Sequence, residues 1–244
     1  MNNTRPYVLC ISGFDPSGGA GILADAKTLE SIKAYALGVC SAITFQNDTE
    51  FDSVSWIQIS DILRQIEVLS RKFTFSVVKI GIMESFDNLE IIVNFLRKIN
   101  PAVKIVWDTV LKASAGFVFH KDIDFERFHN ILKHLFLVTP NTDEAAVLFP
   151  QSDYLQQSTQ CAILLKGGHC ISETINDKLF YRNEIYLFEG VKFNGFSKHG
   201  TGCILSSAIA GYLALGMNVT EACKAGKKIV EKAILSNNIN VAYF

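Results

Sequence analysis

The chain has 244 residues, of which 49% are hydrophobic, and its 23 basic and 24 acidic side chains give a formal net charge of −1. This content can fill the core of an α/β domain, and scattered, balanced charges disfavour a nucleic-acid-binding surface. No segment approaches the roughly 18 consecutive apolar residues of a membrane span, and the first residues do not have the pattern of a signal peptide. The six cysteines lack the paired spacing of a zinc site, which favours reduced thiols in a cytoplasmic protein.

Apolar runs of strand length alternate with stretches of helical periodicity along the chain. The predicted strands are 7–12, 39–45, 76–80, 104–107, 136–138 and 161–166. The predicted helices are 20–36, 57–72, 86–99, 124–134, 142–148, 202–215 and 219–236, and residues 177–189 indicate a hairpin at the sheet's edge. The alternation predicts one α/β domain over residues 1–244, a three-layer sandwich with a mostly parallel central sheet and helices on both faces.

The first predicted strand runs into a glycine-rich loop. The loop has the sequence Gly13-Phe14-Asp15-Pro16-Ser17-Gly18-Gly19-Ala20-Gly21 and is followed by a predicted helix. Its spacing is neither that of a P-loop nor that of a dinucleotide fingerprint. A loop between a strand and a helix nevertheless lies at the edge where open α/β sheets bind ligands.

A second glycine loop precedes the apolar helix predicted at 202–215. It reads His199-Gly200-Thr201-Gly202-Cys203. Glycines allow a tight turn, and the unpaired amides and dipole of a helix N-terminus favour a bound anion. The sequence therefore predicts a phosphate or oxyanion site here, although an ordinary loop before a core helix would show the same glycines. A thiol at this position is expected to have its thiolate form favoured.

Together the two loops resemble the start and end of hydroxymethylpyrimidine/phosphomethylpyrimidine kinases, which are ribokinase-like enzymes of thiamine biosynthesis. Further motifs follow in the family's order, so that the resemblance covers nearly the whole chain. These motifs are Lys79-Ile80-Gly81-Ile82-Met83, Asp108-Thr109-Val110, Thr139-Pro140-Asn141 with Glu144-Ala145, and Lys166-Gly167-Gly168-His169. The resemblance implies a ribokinase-like fold, ATP and Mg²⁺ as cofactors, a small-molecule substrate and a homodimer.

The chemistry of phosphoryl transfer, with the resemblance, assigns one group of residues. The transferred group spreads negative charge over its oxygens, so donors, cations and a metal stabilise it. The amides of residues 200–203 would bind that charge, Lys166 and Asn141 would contact ATP, and Asp108 and Glu144 would hold Mg²⁺, partly through water. Asn141 and Glu144 also fit a helix start, Asp108 a turn, and Lys166 a solvated charge.

A second group of residues is expected to bind the acceptor. An aminopyrimidine offers ring nitrogens, an amino group and two flat faces. The resemblance assigns Gln46 and Asp25 to its polar edge, and Gly13, Met83 and Val110 to the ring. The alternatives are a turn residue for Gln46, a first-turn acid for Asp25 and a core side chain for Met83.

Cys203 bears on both mechanism and substrate. Sugar kinases of the superfamily usually have Asp at this helix position, whereas the kinases of this pyrimidine and of pyridoxal have Cys. The resemblance thus predicts that Cys203 is the general base for the hydroxymethyl group, and the alternative is a thiol that fills space.

The sequence predicts an ATP-dependent kinase of 4-amino-5-hydroxymethyl-2-methylpyrimidine that also phosphorylates the monophosphate. A pyridoxal or pyridoxine kinase, a sugar kinase and a catalytically inactive ligand-binding relative are the alternatives. The chain departs from the family in three places. It is shorter between Thr44 and Gln46, a helix is reduced near 150–155, and the last helix runs into Asn237-Asn238-Ile239-Asn240 rather than a glycine-rich segment.

Overall fold

A computed structural model describes residues 4–113, 116–120, 123–167, 174–191 and 198–244. These residues form one sheet in the order β3-β2-β1-β4-β5-β6-β7-β8-β9. The strands are β1 (Tyr7–Phe14), β2 (Tyr35–Gln46), β3 (Phe51–Trp56), β4 (Phe75–Ile80), β5 (Lys104–Trp107), β6 (Leu137–Val138), β7 (Ala162–Leu165), β8 (Thr174–Tyr181) and β9 (Glu184–Val191). Strands β2, β1, β4, β5, β6 and β7 are parallel, whereas β3 at one edge and β8 and β9 at the other pair in antiparallel fashion.

Helices cover both faces of the sheet. They are α1 (Gly21–Ser31), α2 (Ile59–Ser70), α3 (Phe86–Ile99), α4 (Phe125–Leu132), α5 (Thr142–Leu148), α6 (Tyr154–Gln157), α7 (Thr201–Ala214) and α8 (Val219–Ile234). Alternate residues of β1 point to opposite faces, with Leu9 in a core under α2–α5 and Val8 in a second core under α1, α7 and α8. This is the predicted three-layer α/β sandwich.

Most predicted elements are present, and the differences have local causes. The first helix ends at Ser31 rather than at 36 because Lys33 takes a positive φ of 68°, after which β2 begins. Strand β3 is not among the predicted elements, and the reduced helix near 150–155 is the single turn α6. Gly168 and His169 of the sequence motifs lie outside the described residues.

The topology brings the sequence motifs to one edge. In parallel strands all carboxyl ends lie on the same side of the sheet, and the loops after β1, β4, β5, β6 and β7 therefore meet there. No helix in the described part of the chain is long and apolar enough to cross a membrane.

Candidate active site

A cavity of about 240 Å³ opens at the carboxyl ends of the parallel strands. Most of the predicted site residues line it: Gly13, Gln46, Asp108, Val110, Asn141, Glu144, Lys166, Gly200, Thr201, Gly202 and Cys203. The cavity is therefore the place where the acceptor-binding and phosphate-binding predictions meet. Asp25 and Met83 do not line it.

The N-terminus of α7 forms one wall of this cavity. Gly200 precedes the helix with φ 79° and ψ 16°, the left-handed conformation. A side chain there would be strained, and its Cβ would also lie 2.0 Å from the carbonyl oxygen of Gly19. The amides of the first helical turn have no acceptor within the helix, so that Gly200 aims a set of donors into the cavity.

The glycine loop after β1 packs directly against this helix start. Asp15 Oδ2 lies 2.9 Å from His199 Nε2 and accepts a 2.8 Å hydrogen bond from the Ala20 amide. Burial raises the pKa of Asp15, but hydrogen bonds from His199, Ala20 and Ser17 outweigh it and hold the pKa below its ordinary value. The two loops that carry the sequence signal, at opposite ends of the chain, are thus joined in one structure.

Asp108 and Lys166 face each other across the cavity floor. Lys166 Nζ donates to Asp108 Oδ1 at 3.1 Å and lies 3.9 Å from Glu144 Oε2. Thr139 Oγ1 donates to the same Asp108 oxygen at 3.1 Å, and Ser206 Oγ donates to Asp108 Oδ2 at 3.2 Å. Burial opposes ionisation of Asp108, but Lys166 and Lys79 outweigh it and keep the pKa below its ordinary value. Asp108 is therefore an ionised carboxylate.

Asn141 and Glu144 form a capping box at the start of α5. The Glu144 amide donates to Asn141 Oδ1, and the Asn141 amide donates to Glu144 Oε2, both at 2.8 Å. The helix-start alternative is thus correct, and both residues also line the cavity. Burial raises the pKa of Glu144, and nearby Asp108 raises it further, against a lowering contribution from Lys166.

Cys203 lies in the first turn of α7 and is half-buried. Burial raises its pKa to about 11; the carboxylates of Asp108 and Asp25 act in the same direction, while Lys79 and the Gly21 amide act against it. The expectation that the helix N-terminus favours the thiolate is therefore wrong for the free protein. Desolvation outweighs the lowering contributions of Lys79 and the Gly21 amide.

Beneath Cys203 lies a buried ion pair that the sequence did not reveal as such. Lys79 Nζ donates to both carboxylate oxygens of Asp25 at 2.9 Å and to Ser12 Oγ at 3.1 Å, and the Lys79 and Asp25 side chains are both 0% exposed. Ser207 Oγ donates to the same carboxylate. The Asp25 carboxylate is thus hydrogen-bonded to Lys79 and Ser207 below the cavity, and Lys79 rather than Asp25 lines the cavity. The placement does not support a direct acceptor contact by Asp25.

The far end of the cavity is lined by β2, β3 and the loop after β5. Gln46 is the last residue of β2, and its Nε2 donates to Thr44 Oγ1 at 2.9 Å. Phe51 and Phe119, which the sequence analysis did not single out, supply aromatic surface there, 5.5 Å apart between ring centroids. Phe51 is in β3 and Phe119 in the loop after β5, so their contact joins residues far apart in sequence and no local pattern indicates it.

Met83 belongs to the hydrophobic core and is 2% exposed. The neighbouring Ile82 lines the cavity instead, and its side chain packs against Gly13 so closely that a Cβ on Gly13 would lie 2.5 Å from Ile82 Cδ1. The placement of Met83 therefore does not support the predicted ring contact, and Ile82 occupies the cavity wall beside it. Val110 lines the cavity as predicted.

The residues available for a metal are oxygen donors. In the described ranges no group of three or more His, Cys, Asp or Glu side chains is arranged to enclose an ion. Asp108 and Glu144 both lie within reach of Lys166 Nζ. A pair of carboxylates beside the N-terminus of α7 suits Mg²⁺, which keeps several waters and binds few protein ligands.

Comparison with known proteins identifies the family of the chain. A family model of phosphomethylpyrimidine kinase matches residues 15–243. The hydroxymethylpyrimidine/phosphomethylpyrimidine kinase of Salmonella typhimurium is 32% identical over 84% of this chain and 82% of its own. A putative kinase of the same name from Schizosaccharomyces pombe is 32% identical over 94% of this chain, which spans about half (47%) of that relative.

Solved structures share the fold. A phosphomethylpyrimidine kinase from Clostridium difficile 630 superposes with a TM-score of 0.78 at 32% identity, covering 94% of this chain and 100% of that one. The pyridoxal kinase from Staphylococcus aureus in complex with ADP has a TM-score of 0.84 at 23% identity, covering 96% and 89%. At that identity the second likeness concerns the fold alone. The family match over residues 15–243 and the relatives above lead to one conclusion: this chain belongs to the phosphomethylpyrimidine kinase family.

Proposed function

We propose that this protein transfers the γ-phosphoryl group of ATP to 4-amino-5-hydroxymethyl-2-methylpyrimidine, and then to the resulting monophosphate, in thiamine biosynthesis. One observation carries the proposal. A single cavity joins the donor-rich start of α7 to a wall formed by Gln46, Phe51 and Phe119, so a flat polar ring can lie with its hydroxymethyl group toward the helix start. The family of the chain supports the same acceptor.

Each part of the cavity has a role in the reaction. The amides of residues 200–203 and Lys166 bind the phosphate charge, because donors fixed in place before the reaction stabilise the transition state. Asp108 and Glu144 hold Mg²⁺, and Asn141 contacts ATP. When bound, ATP and its metal supply the phosphoryl group and charge neutralisation. Gln46, Gly13, Ile82 and Val110 orient the acceptor.

Cys203 takes the proton of the hydroxymethyl group. A thiol with a pKa of about 11 is ionised in only about one molecule in 10⁴ at pH 7. The thiolate is then a strong base but a scarce one. Only this thiolate form can accept the proton of the hydroxymethyl group, so the step proceeds from the ionised fraction of Cys203 and leaves the thiol. The monophosphate needs no such help, since its second pKa is about 6.

A pyridoxal or pyridoxine kinase is the second candidate, because those rings are also flat and carry a hydroxymethyl group. The relatives at 32% identity favour the pyrimidine. The similarity to the pyridoxal kinase, at 23% identity, supports the fold and not the substrate.

A coupled ADP-release assay decides among these substrates. The purified protein with Mg·ATP is given the hydroxymethylpyrimidine, its monophosphate, pyridoxal, pyridoxine or ribose at matched concentrations. We expect the highest kcat/KM with the pyrimidines. A preference for pyridoxal would overturn the acceptor assignment, and no turnover with any acceptor would favour a ligand-binding protein without catalysis.

We propose further that the protein is a cytoplasmic homodimer of single-domain subunits.

A further inference from the structure

The segment that follows α8 holds the peptide that enters the phosphate-binding helix. Residues 237–242, here called the clasp segment, include the asparagine-rich stretch in which this chain departs from the family. The Asn240 carbonyl oxygen accepts a 2.8 Å hydrogen bond from the His199 amide. Ala242, 5% exposed, packs in a small core with Ile204, the residue after Cys203. The segment thus contacts residues on both sides of the 200–203 turn.

Lys198 carries the largest share of these contacts. Its side chain is buried, and its ammonium group donates to the carbonyl oxygen of Asn237 at 2.8 Å, to Asn237 Oδ1 at 2.7 Å and to the carbonyl oxygen of Ile239. These bonds use all three protons of the ammonium group. In the described part of the chain no carboxylate lies within ion-pairing distance of Lys198. A buried charge with only neutral acceptors is costly unless each bond is kept, so Lys198 fixes the clasp segment to the loop closely.

The same segment reaches the acceptor side of the cavity. Asn240 Nδ2 donates to the carbonyl oxygen of Asp48, in the turn between β2 and β3. That turn connects Gln46 with Phe51, both of which line the cavity. One residue, Asn240, therefore bonds the phosphate-binding loop through its carbonyl group and the acceptor-binding turn through its side chain.

We propose that the clasp segment aligns the phosphate-binding loop with the acceptor-binding turn, and that Lys198 and Asn240 are positioning residues for phosphoryl transfer. Gly200 is two residues after Lys198, and its left-handed conformation sets the direction of the α7 amides. Loss of the Lys198 bonds lets that conformation vary. Loss of the Asn240 side chain frees the turn that carries Gln46.

The two variants Lys198→Met and Asn240→Ala test the proposal, and the chain supplies matched controls. Asn238 is exposed and two residues from Asn240, and Lys232 is exposed on α8. Hydrogen–deuterium exchange is measured first, without ligands. We expect Lys198→Met to speed exchange at residues 199–204 and Asn240→Ala to speed it at 47–50. Asn238→Ala and Lys232→Met should match the wild type.

Kinetics then separate positioning from general stability; this half of the test rests on the proposed function. Lys198→Met should lower kcat by on the order of tenfold to a hundredfold, because displacing reacting groups by about 1 Å has effects of that size. Asn240→Ala should raise the acceptor KM several-fold while the KM for ATP stays unchanged. Equal losses in all parameters, tracking the melting temperature, would mean a structural role only and would overturn the proposal.

Two further outcomes are distinguishable. If Lys198→Met does not fold, Asn240→Ala still tests the proposal, since it leaves the Lys198 bonds in place. Unchanged exchange at 47–50 and an unchanged acceptor KM in Asn240→Ala would overturn the link to the turn. If exchange changes as expected but the wild type phosphorylates none of the acceptors, the proposed function fails while the alignment by the clasp segment stands.

Discussion

Gly200 and Gly202 are two residues apart, and the structure predicts that a methyl group added at Gly200 destabilises the fold, whereas one added at Gly202 leaves the fold stable and impairs catalysis. At Gly200 the backbone is left-handed with φ 79°, and the added Cβ would lie 2.0 Å from the Gly19 carbonyl oxygen and 2.8 Å from its carbon. At Gly202 the backbone is ordinary, and the nearest atoms to the Cβ are Lys166 Nζ at 3.5 Å and Asp108 Oδ2 at 3.6 Å. The sequence alone does not show that Gly200 is needed for its left-handed backbone and Gly202 for the open space beside Lys166 and Asp108.

Gly200→Ala should therefore destabilise the fold. The left-handed conformation alone costs about 1–2 kcal/mol, and the contact with backbone at Gly19 requires the two glycine loops to separate. For a chain of this size each kcal/mol lowers the melting temperature by roughly 2–4 °C, so we expect a decrease of several degrees or more. Activity should be lost together with stability.

Gly202→Ala should fold normally and lose catalysis. Its methyl group makes ordinary contacts but occupies the space in front of Lys166 and Asp108 into which the helix amides point. We expect a melting temperature within a few degrees of the wild type and a kcat reduced by about two orders of magnitude; Gly202→Val should behave likewise with a larger loss. Thermal unfolding and the ADP-release assay measure both quantities. Near-normal turnover in a well-folded Gly202→Ala protein would refute the placement of the phosphoryl group at this helix start.

Three other parts of the site give predictions of their own. Gln46→Ala should weaken acceptor binding by about 1–3 kcal/mol, the cost of an unpaired buried polar group, and an unchanged acceptor KM would make Gln46 a bystander. Cys203→Ala should slow phosphorylation of the alcohol by about 10²–10⁴-fold and that of the monophosphate far less; equal losses on one preparation would contradict a role as base. Asp25→Asn leaves the Lys79 ammonium buried without its counter-charge and should cost about 3–5 kcal/mol in denaturant unfolding, much of it recovered in the double variant with Lys79→Met. The pKa of Asp15 in the folded protein lies below its ordinary value near 3.8, so ionised Asp15 stabilises the fold above that pH. This contribution to the free energy of unfolding is lost as the pH falls through the folded-state pKa. Asp15→Asn should therefore make the stability less dependent on pH on the acid side.

The sequence predicted the fold well because its signals are local. The alternation of apolar runs and helical periodicity located the parallel strands, and 104–107 coincides with β5. The helices predicted at 86–99 and 142–148 coincide with α3 and α5 for the same reason. Strand β3 was not predicted because it lies at an edge of the sheet and is only half-buried, so its residues do not form a continuous apolar run.

The candidate site was predictable only in part. Residues held by the backbone of a motif, such as Gly200 and Asp108, line the cavity as expected. The direction of a side chain next to a motif was not predictable: Met83 enters the core while Ile82 faces the cavity, because one residue along an extended chain reverses the face. The pairing of Asp25 with Lys79 links residues 54 apart in sequence, and no spacing rule connects them.

Burial and the charges of the cavity floor together set the raised pKa values of Glu144 and Cys203. Three carboxylates (Asp25, Asp108 and Glu144) lie with two ammonium groups (Lys79 and Lys166), an excess of one negative charge in a desolvated place. Desolvation by burial is the largest cause of the raised pKa values of Glu144 and Cys203, and the nearby Asp108 carboxylate raises both further. A divalent cation held by Asp108 and Glu144, as proposed, would add positive charge beside both groups and lower their pKa values. The metal that neutralises the phosphates would thus also make Cys203 a more available base, so acceptor deprotonation and nucleotide binding depend on the same two carboxylates.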